Sequence, residues 1–144
     1  MVTSADRLQG PMTVGVVGCG HIARKHFAAL RRLGDVRIIG VCDRDRGARD
    51  ASARAAGAGA YGDLGAMLEG RRPDVVHILT PPQSHCELGL AAMRAGCHVL
   101  VEKPLAMTSG EADEMMRLAR AAGVQLGVCH NFLFEPGVMR ALAT

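Results

Sequence analysis

The stretch Val14-Gly15-Val16-Val17-Gly18-Cys19-Gly20-His21-Ile22-Ala23 decides how this chain folds. It joins a short run rich in valine to a turn spaced Gly-x-Gly-x-x-Ala, and the turn to the start of a helix. Gly18 allows a sharp turn, and Gly20 has no Cβ to stand in the way of a diphosphate. Ala23 is small enough for the helix to lie close on the strand. The first amides of that helix, from about His21 and Ile22, then point at phosphate oxygens with the helix dipole behind them. Alone, the motif is weakly specific. Its surroundings turn it into an expectation of dinucleotide binding.

Outward from this turn, apolar runs alternate with amphipathic stretches. The runs cover residues 13–17, 36–42, 75–79, 98–101 and 124–129, with a weaker one at 58–61. Each is short and bounded by Gly, Pro or Asp, as strands buried in a parallel sheet are. Helical spacing fills the intervals. Ala23, Phe27 and Leu30 follow the first run, and Leu88, Ala91, Ala92 and Ala95 follow the third. Ala112, Met115, Met116, Ala119 and Ala122 precede the last. Ser84-x-x-Glu87 and Thr108-x-x-Glu111 read as capping boxes, and Gly96 and Gly123 as left-handed helix stops. The pattern predicts a doubly wound α/β domain over residues 13–144, a parallel sheet flanked by helices. Residues 1–12 are expected to form a disordered tail.

Composition narrows the function classes. With no Trp, one Tyr and three Phe among 144 residues, the core must come from Val, Ile, Leu, Met and Ala. The net charge of +3 rests on 17 basic residues, of which only Lys25 and Lys103 are lysines. They are scattered, apart from Arg44, Arg46, Arg49 and Arg54, so a nucleic-acid partner is not expected. Five widely spaced cysteines form no C-x-x-C pair, and the six histidines show no ligand spacing, so no metal site is expected. The cysteines read as reduced thiols of a cytoplasmic protein. The sequence has neither a signal-peptide pattern near its start nor a run long enough to span a membrane, and no membrane partner is expected.

A second apolar run ends at Cys42, and Asp43 follows 23 residues beyond Gly20. A carboxylate there accepts the adenosine ribose hydroxyls and favours NAD. The alternative reading makes Asp43 the cap of a helix starting near Asp45, and Arg44 could instead hold the 2′-phosphate of NADP. In open α/β sheets the ligand lies outside the carboxyl ends of the strands. Thr80-Pro81-Pro82-Gln83-Ser84-His85, Glu102-Lys103-Pro104 and His130-Asn131 occupy those positions. The Pro-Pro turn is either a stiff shelf for a flat ring or a strand stop. Lys103 is the candidate catalytic residue, its ammonium placed to stabilise charge on a substrate oxygen as hydride leaves. The alternative is a solvated loop lysine paired with Glu102. His77 and His98 read as structural.

The combination Gly18-x-Gly20-x-Ile22-Ala23-x-x-His26, Asp43, Thr80-Pro81-Pro82-x-x-His85, Gly96-Cys97-His98-Val99-Leu100-Val101-Glu102-Lys103-Pro104 and His130-Asn131 resembles the Gfo/Idh/MocA family, the glucose-fructose oxidoreductase and inositol dehydrogenase group. The likeness runs from about residue 12 to 144. It implies a Rossmann domain in an NAD(P)-dependent enzyme that oxidises or reduces a hydroxyl or carbonyl of a sugar, cyclitol or related polyol. It further implies that the glycine turn, Asp43 and Arg44 hold adenosine and diphosphate. Thr80, Pro81, His85 and Glu102 would lie along the nicotinamide ribose, Lys103 would touch substrate and cofactor, and Asn131 would sit at the substrate edge. Family members often carry Arg shortly after this Asn, where Phe132, Leu133 and Phe134 stand here.

The family's second α/β domain, with its large sheet, oligomer interface and acid–base His, is not in the sequence. Residues 134–144 read as the opening of another helix, with Pro136 in its first turn. The chain is therefore expected to bind coenzyme and to be catalytically incomplete, with homo-oligomerisation expected of a full-length parent. The alternatives are a stand-alone nucleotide-binding or regulatory module and a non-catalytic scaffold.

Overall fold

The computed structural model describes residues 10–142, so most of the expected tail, residues 1–9, lies outside the described residues. Met12 is already sheet, one residue before the predicted start. The described chain runs β1 (Met12–Val17), α1 (Ala23–Leu30), β2 (Val36–Cys42), α2 (Arg46–Ala56), β3 (Gly59–Tyr61) and α3 (Leu64–Gly70). It continues with β4 (Val75–Ile78), α4 (His85–Arg94), β5 (His98–Glu102), α5 (Ser109–Ala122), β6 (Leu126–Cys129) and α6 (Pro136–Leu142). No helix among the described residues is long and apolar enough to cross a membrane.

The strands form one parallel sheet in the order β3-β2-β1-β4-β5-β6. From β1 the chain builds outward through β2 to β3, then returns and builds the other way from β4 to β6. Neighbouring connections therefore leave the sheet in opposite directions at β1 and β4, which opens a crevice at the carboxyl ends of these two strands. Asp74 ties the entry to this pair, because its carboxylate accepts from the Thr13 amide at 2.8 Å and the Thr13 hydroxyl at 2.6 Å.

Period-two alternation feeds two apolar layers. Val14 and Val16 join Ala23, Phe27, Leu30, Ile38, Val41 and Ala53 on the face covered by α1 and α2. Val17, Val76, Ile78, Val99 and Val101 join Met67, Met93 and Met115 on the other. The second layer packs unusually close at α3. A Cβ built on Gly15 would lie 2.8 Å from Met67 Cε, and one on Gly40 2.5 Å from Met67 Sδ. Two strand positions without side chains thus form the seat for one thioether.

The cap signals divide. Thr108 and Glu111 form the reciprocal capping box expected of them, and Gly96 and Gly123 have φ of +81° and +66°. Ser84 does not cap α4: its hydroxyl donates to Pro81 O at 2.9 Å and shares a hydrogen bond with the Thr80 hydroxyl at 2.7 Å. The Pro-Pro turn places a 3₁₀ turn, Pro82–Ser84, ahead of α4 and points the serine back at the strand end. Val124 is not in β6, since its amide closes α5 by donating to Ala119 O. Helix α3 was not anticipated, although Asp63 caps it by accepting from the Ala66 amide. Seven residues are too few for helical periodicity to be visible.

Met67 is fully buried against glycines that cannot move in to fill its space. Met67→Ala is expected to cost about 4 kcal/mol, toward the upper end for buried methionine truncations. Chemical denaturation measures it; a cost below about 1 kcal/mol would contradict the packing described.

Candidate dinucleotide-binding site

The two glycines of the first turn do different jobs. Gly18 is buried with φ +97°, and a Cβ there would lie 2.8 Å from the Leu79 carbonyl carbon and 2.9 Å from Thr80 N. It serves the fold. Gly20 is exposed, and nothing lies within 4 Å of the point a Cβ would occupy. The amides of Gly20, His21 and Ile22 make no backbone hydrogen bond among the described residues, while Ala23 N donates to Gly20 O. Helix α1 has no side-chain cap at Ile22. Its amino end therefore opens on space that Gly20 keeps clear, the arrangement a diphosphate requires.

Asp43 ends β2 and braces this turn. Its Oδ2 accepts from the Cys19 amide at 2.7 Å and its Oδ1 from the Asp45 amide at 2.8 Å. The alternative of Asp43 as helix cap is excluded, because Asp45 fills that place and accepts from the Ala48 amide at 2.7 Å. Each carboxylate oxygen of Asp43 has a further lone pair for ribose hydroxyls. Arg44 is exposed and makes no ion pair among the described residues.

Across the switch point, Thr80 and Pro81 follow β4, with Thr80 half-buried and Pro81 exposed. His85 is fully buried, and its ring spans two carbonyl oxygens, Thr80 O and Pro104 O, at 2.8 Å each. It was expected along the coenzyme ribose. Instead it ties the loop after β4 to the loop after β5, so its influence runs through Thr80 and Pro104. The Lys103 side chain is exposed at this junction and makes no ion pair among the described residues. The reading that pairs its ammonium with Glu102 fails. Glu102 takes the Lys103 amide rather than its ammonium, at 3.2 Å, and turns its other oxygen to His26 Nε2 at 3.1 Å.

Sequence reasoning missed this second layer. His26, one turn into α1, meets Glu102 at the end of β5, and its Nδ1 lies 3.2 Å from Nδ1 of His77 in β4. Burial disfavours the charged form of Glu102, but bonds from His26, Cys129 and the Lys103 amide outweigh it and hold the carboxyl below its usual range. Burial, the nearby Glu102 charge and their hydrogen bond push the Cys129 thiol up. Donor atoms of His26, Glu102 and Cys129 lie within 4.8 Å of one another, a grouping that no spacing in the sequence announces. His26 in the motif Ile22-Ala23-x-x-His26 was the available signal, since that spacing turns it toward the sheet. Asn131 is exposed at the start of a 3₁₀ turn, Asn131–Phe134, and no hydrogen bond joins it to the other candidates among the described residues.

Comparison with known proteins agrees with this fold. The family described as "Oxidoreductase family, NAD-binding Rossmann fold", GFO_IDH_MocA, matches residues 12–130. The chain belongs to this family. It is 36% identical to D-glucoside 3-dehydrogenase of Escherichia coli (strain K12), over 93% of this chain and 39% of that protein. The WlbA dehydrogenase from Bordetella pertussis, solved with NADH and UDP-GlcNAcA, superposes with a TM-score of 0.81 at 30% identity, covering 83% of this chain and 35% of that one. KijD10, a 3-ketoreductase from Actinomadura kijaniata solved with NADP, gives a TM-score of 0.85 at 31% identity, covering 93% and 43%. This chain thus spans about 35–43% of the length of these Gfo/Idh/MocA proteins, and corresponds to their NAD(P)-binding domain.

His77 gives the site a pH signature. Burial, then the neighbouring His26, lower its pKa from 6.5 to about 4. Between those values the unfolded chain binds a proton that the folded chain refuses, so stability falls as pH drops from about 6.5 to about 4. The loss attributable to His77 should be about 3 kcal/mol. Denaturant midpoints across this range should fall less steeply in His77→Asn; equal slopes would refute the assignment.

Proposed function

We propose that this chain binds NAD(H) in preference to NADP(H) and presents it, in the whole protein, for hydride exchange with a sugar, cyclitol or related polyol. The observation that carries this reading is the cleared space before α1, where, among the described residues, nothing stands against Gly20 and three amides make no backbone hydrogen bond. The residues fit the coenzyme. Gly20, His21 and Ile22 would hold the diphosphate, on the turn that Gly18 makes possible. Asp43 would accept the adenosine ribose hydroxyls and, as an anion, oppose a 2′-phosphate, leaving Arg44 the weaker claim. Thr80 and Pro81 would border the nicotinamide ribose, with His85 and Glu102 holding their loops in place.

When bound, the nicotinamide supplies the hydride donor or acceptor. Lys103 would do the electrostatic work, its free ammonium stabilising negative charge on the substrate oxygen as the carbon changes oxidation state. Asn131 would stand at the substrate edge. The E. coli relative acts on a glucoside and the B. pertussis structure holds a nucleotide sugar, which supports a carbohydrate substrate. The exposed run Phe132, Leu133 and Phe134, 63%, 50% and 76% accessible, supports further protein covering this edge in a domain boundary or oligomer. Free cysteines throughout the described residues support a reducing, cytoplasmic setting.

Calorimetric titration of the chain with NADH and NADPH tests the coenzyme reading. NADH should bind more tightly, and Asp43→Ala should narrow the gap. Gly20→Ala should leave thermal stability within about 0.5 kcal/mol of the parent, because its Cβ meets open space, yet weaken NADH at least tenfold. Gly18→Ala should instead destabilise the fold by about 2 kcal/mol or more, through its positive φ and backbone clash. No heat from either coenzyme on folded protein would overturn the proposal.

The catalytic role is tested separately. In the complete protein, Lys103→Ala should lower kcat about 100-fold or more while the Kd for NADH stays within about twofold. An unchanged kcat would remove Lys103 from the chemistry.

A further inference from the structure

We infer that His26 is a positioning residue for the Lys103 loop, and that the tautomer of the buried His77 records the charge on His26. The inference rests on the reading that Lys103 serves the reacting end of the coenzyme. Its foundation is a chain of contacts crossing the fold from its interior to that loop: His77 in β4, His26 in α1, Glu102 ending β5, and the Lys103 amide.

Proton bookkeeping fixes much of this chain. Glu102 is ionised, so both its oxygens accept. His26 Nε2 must then carry a hydrogen, which it donates to Oε1, while Oε2 receives the Lys103 amide. The carboxylate is clamped between α1 and the first residue of the loop. Cys129, its register neighbour on β6, adds a third bond to Glu102. Among the described residues, the titratable groups facing His26 are His77 from β4, Glu102 from β5 and Cys129 from β6. Lys25 and Arg24, its neighbours on α1, are exposed.

Only one hydrogen fits between the two Nδ1 atoms, 3.2 Å apart. With His26 neutral, its Nδ1 is a lone pair and His77 donates from Nδ1. When His26 takes a proton, its Nδ1 becomes the donor, and His77 must accept there and carry its own hydrogen on Nε2. His77 stays neutral through this exchange, consistent with the burial that resists charging it. The His26–Glu102 contact meanwhile changes from a hydrogen bond to an ion pair, which alters the hold on the Lys103 amide.

Imidazole and amide nitrogen NMR of the 144-residue chain, from pH 9 to about pH 5, tests this. His77 should pass from the Nδ1–H to the Nε2–H tautomer at the midpoint of His26, and the Lys103 amide should shift with the same midpoint. In His26→Gln, which keeps an N–H for Glu102, NADH affinity should stay within about threefold while the Lys103 shift is lost. In His26→Leu, NADH should bind about tenfold more weakly with the melting transition still cooperative. A His77 tautomer that is constant over the range, or a Lys103 amide that ignores pH, overturns the inference. Failure of the parent chain to bind NADH would instead strike the coenzyme reading, leaving the NMR result to decide this one.

Discussion

The backbone of Gly18 passes so close to the peptide joining Leu79 to Thr80 that no side chain can stand between them. This contact lies where the two halves of the sheet meet, sealed by Gly18 N donating to Cys42 O and Leu79 N donating to Val17 O, both at 2.8 Å. Everything in the site is measured from it. The turn that brings Gly18 under β4 also sets the direction of α1, and hence where its free amides point. It also brings Asp43 within reach of the Cys19 amide, so the β2 side of the crevice is built on the same junction.

On the other side of the crevice the organisation is less direct. The loops after β4 and β5 carry the residues nearest the expected chemistry, and loops of this kind are easily displaced. Here each is held by a buried histidine. His85 bridges the two loops through their carbonyl oxygens, and His26 holds Glu102 from below while Glu102 holds the Lys103 amide. The exposed lysine thus stands on a buried polar frame, and its ammonium makes no ion pair among the described residues. A charged group placed this way avoids the cost of an internal ion pair and stays available to a ligand.

Much of this was legible in the residues. The six strands and the glycine turn were readable from local rules, strand periodicity and turn geometry, and Asp43 and Lys103 could be placed just after a strand. The misreadings have a common origin. Ser84 fits a capping box by spacing, yet the proline turn before it redirects its hydroxyl to Thr80. His85 looks like a ligand-facing residue in its motif, yet the packing of α4 draws it inside.

By itself, then, the sequence determined the order of the six strands, most of the helices between them, the glycine turn and the identity of the exposed candidates, since these follow from interactions between residues close in the chain. The tertiary structure decided which polar groups support them. His26 and His77 are 51 residues apart and His26 and Glu102 are 76 apart, and no periodicity links positions so distant. They meet because a parallel sheet brings the ends of separate strands side by side and lays one helix across them, a juxtaposition that exists only once the sheet has formed.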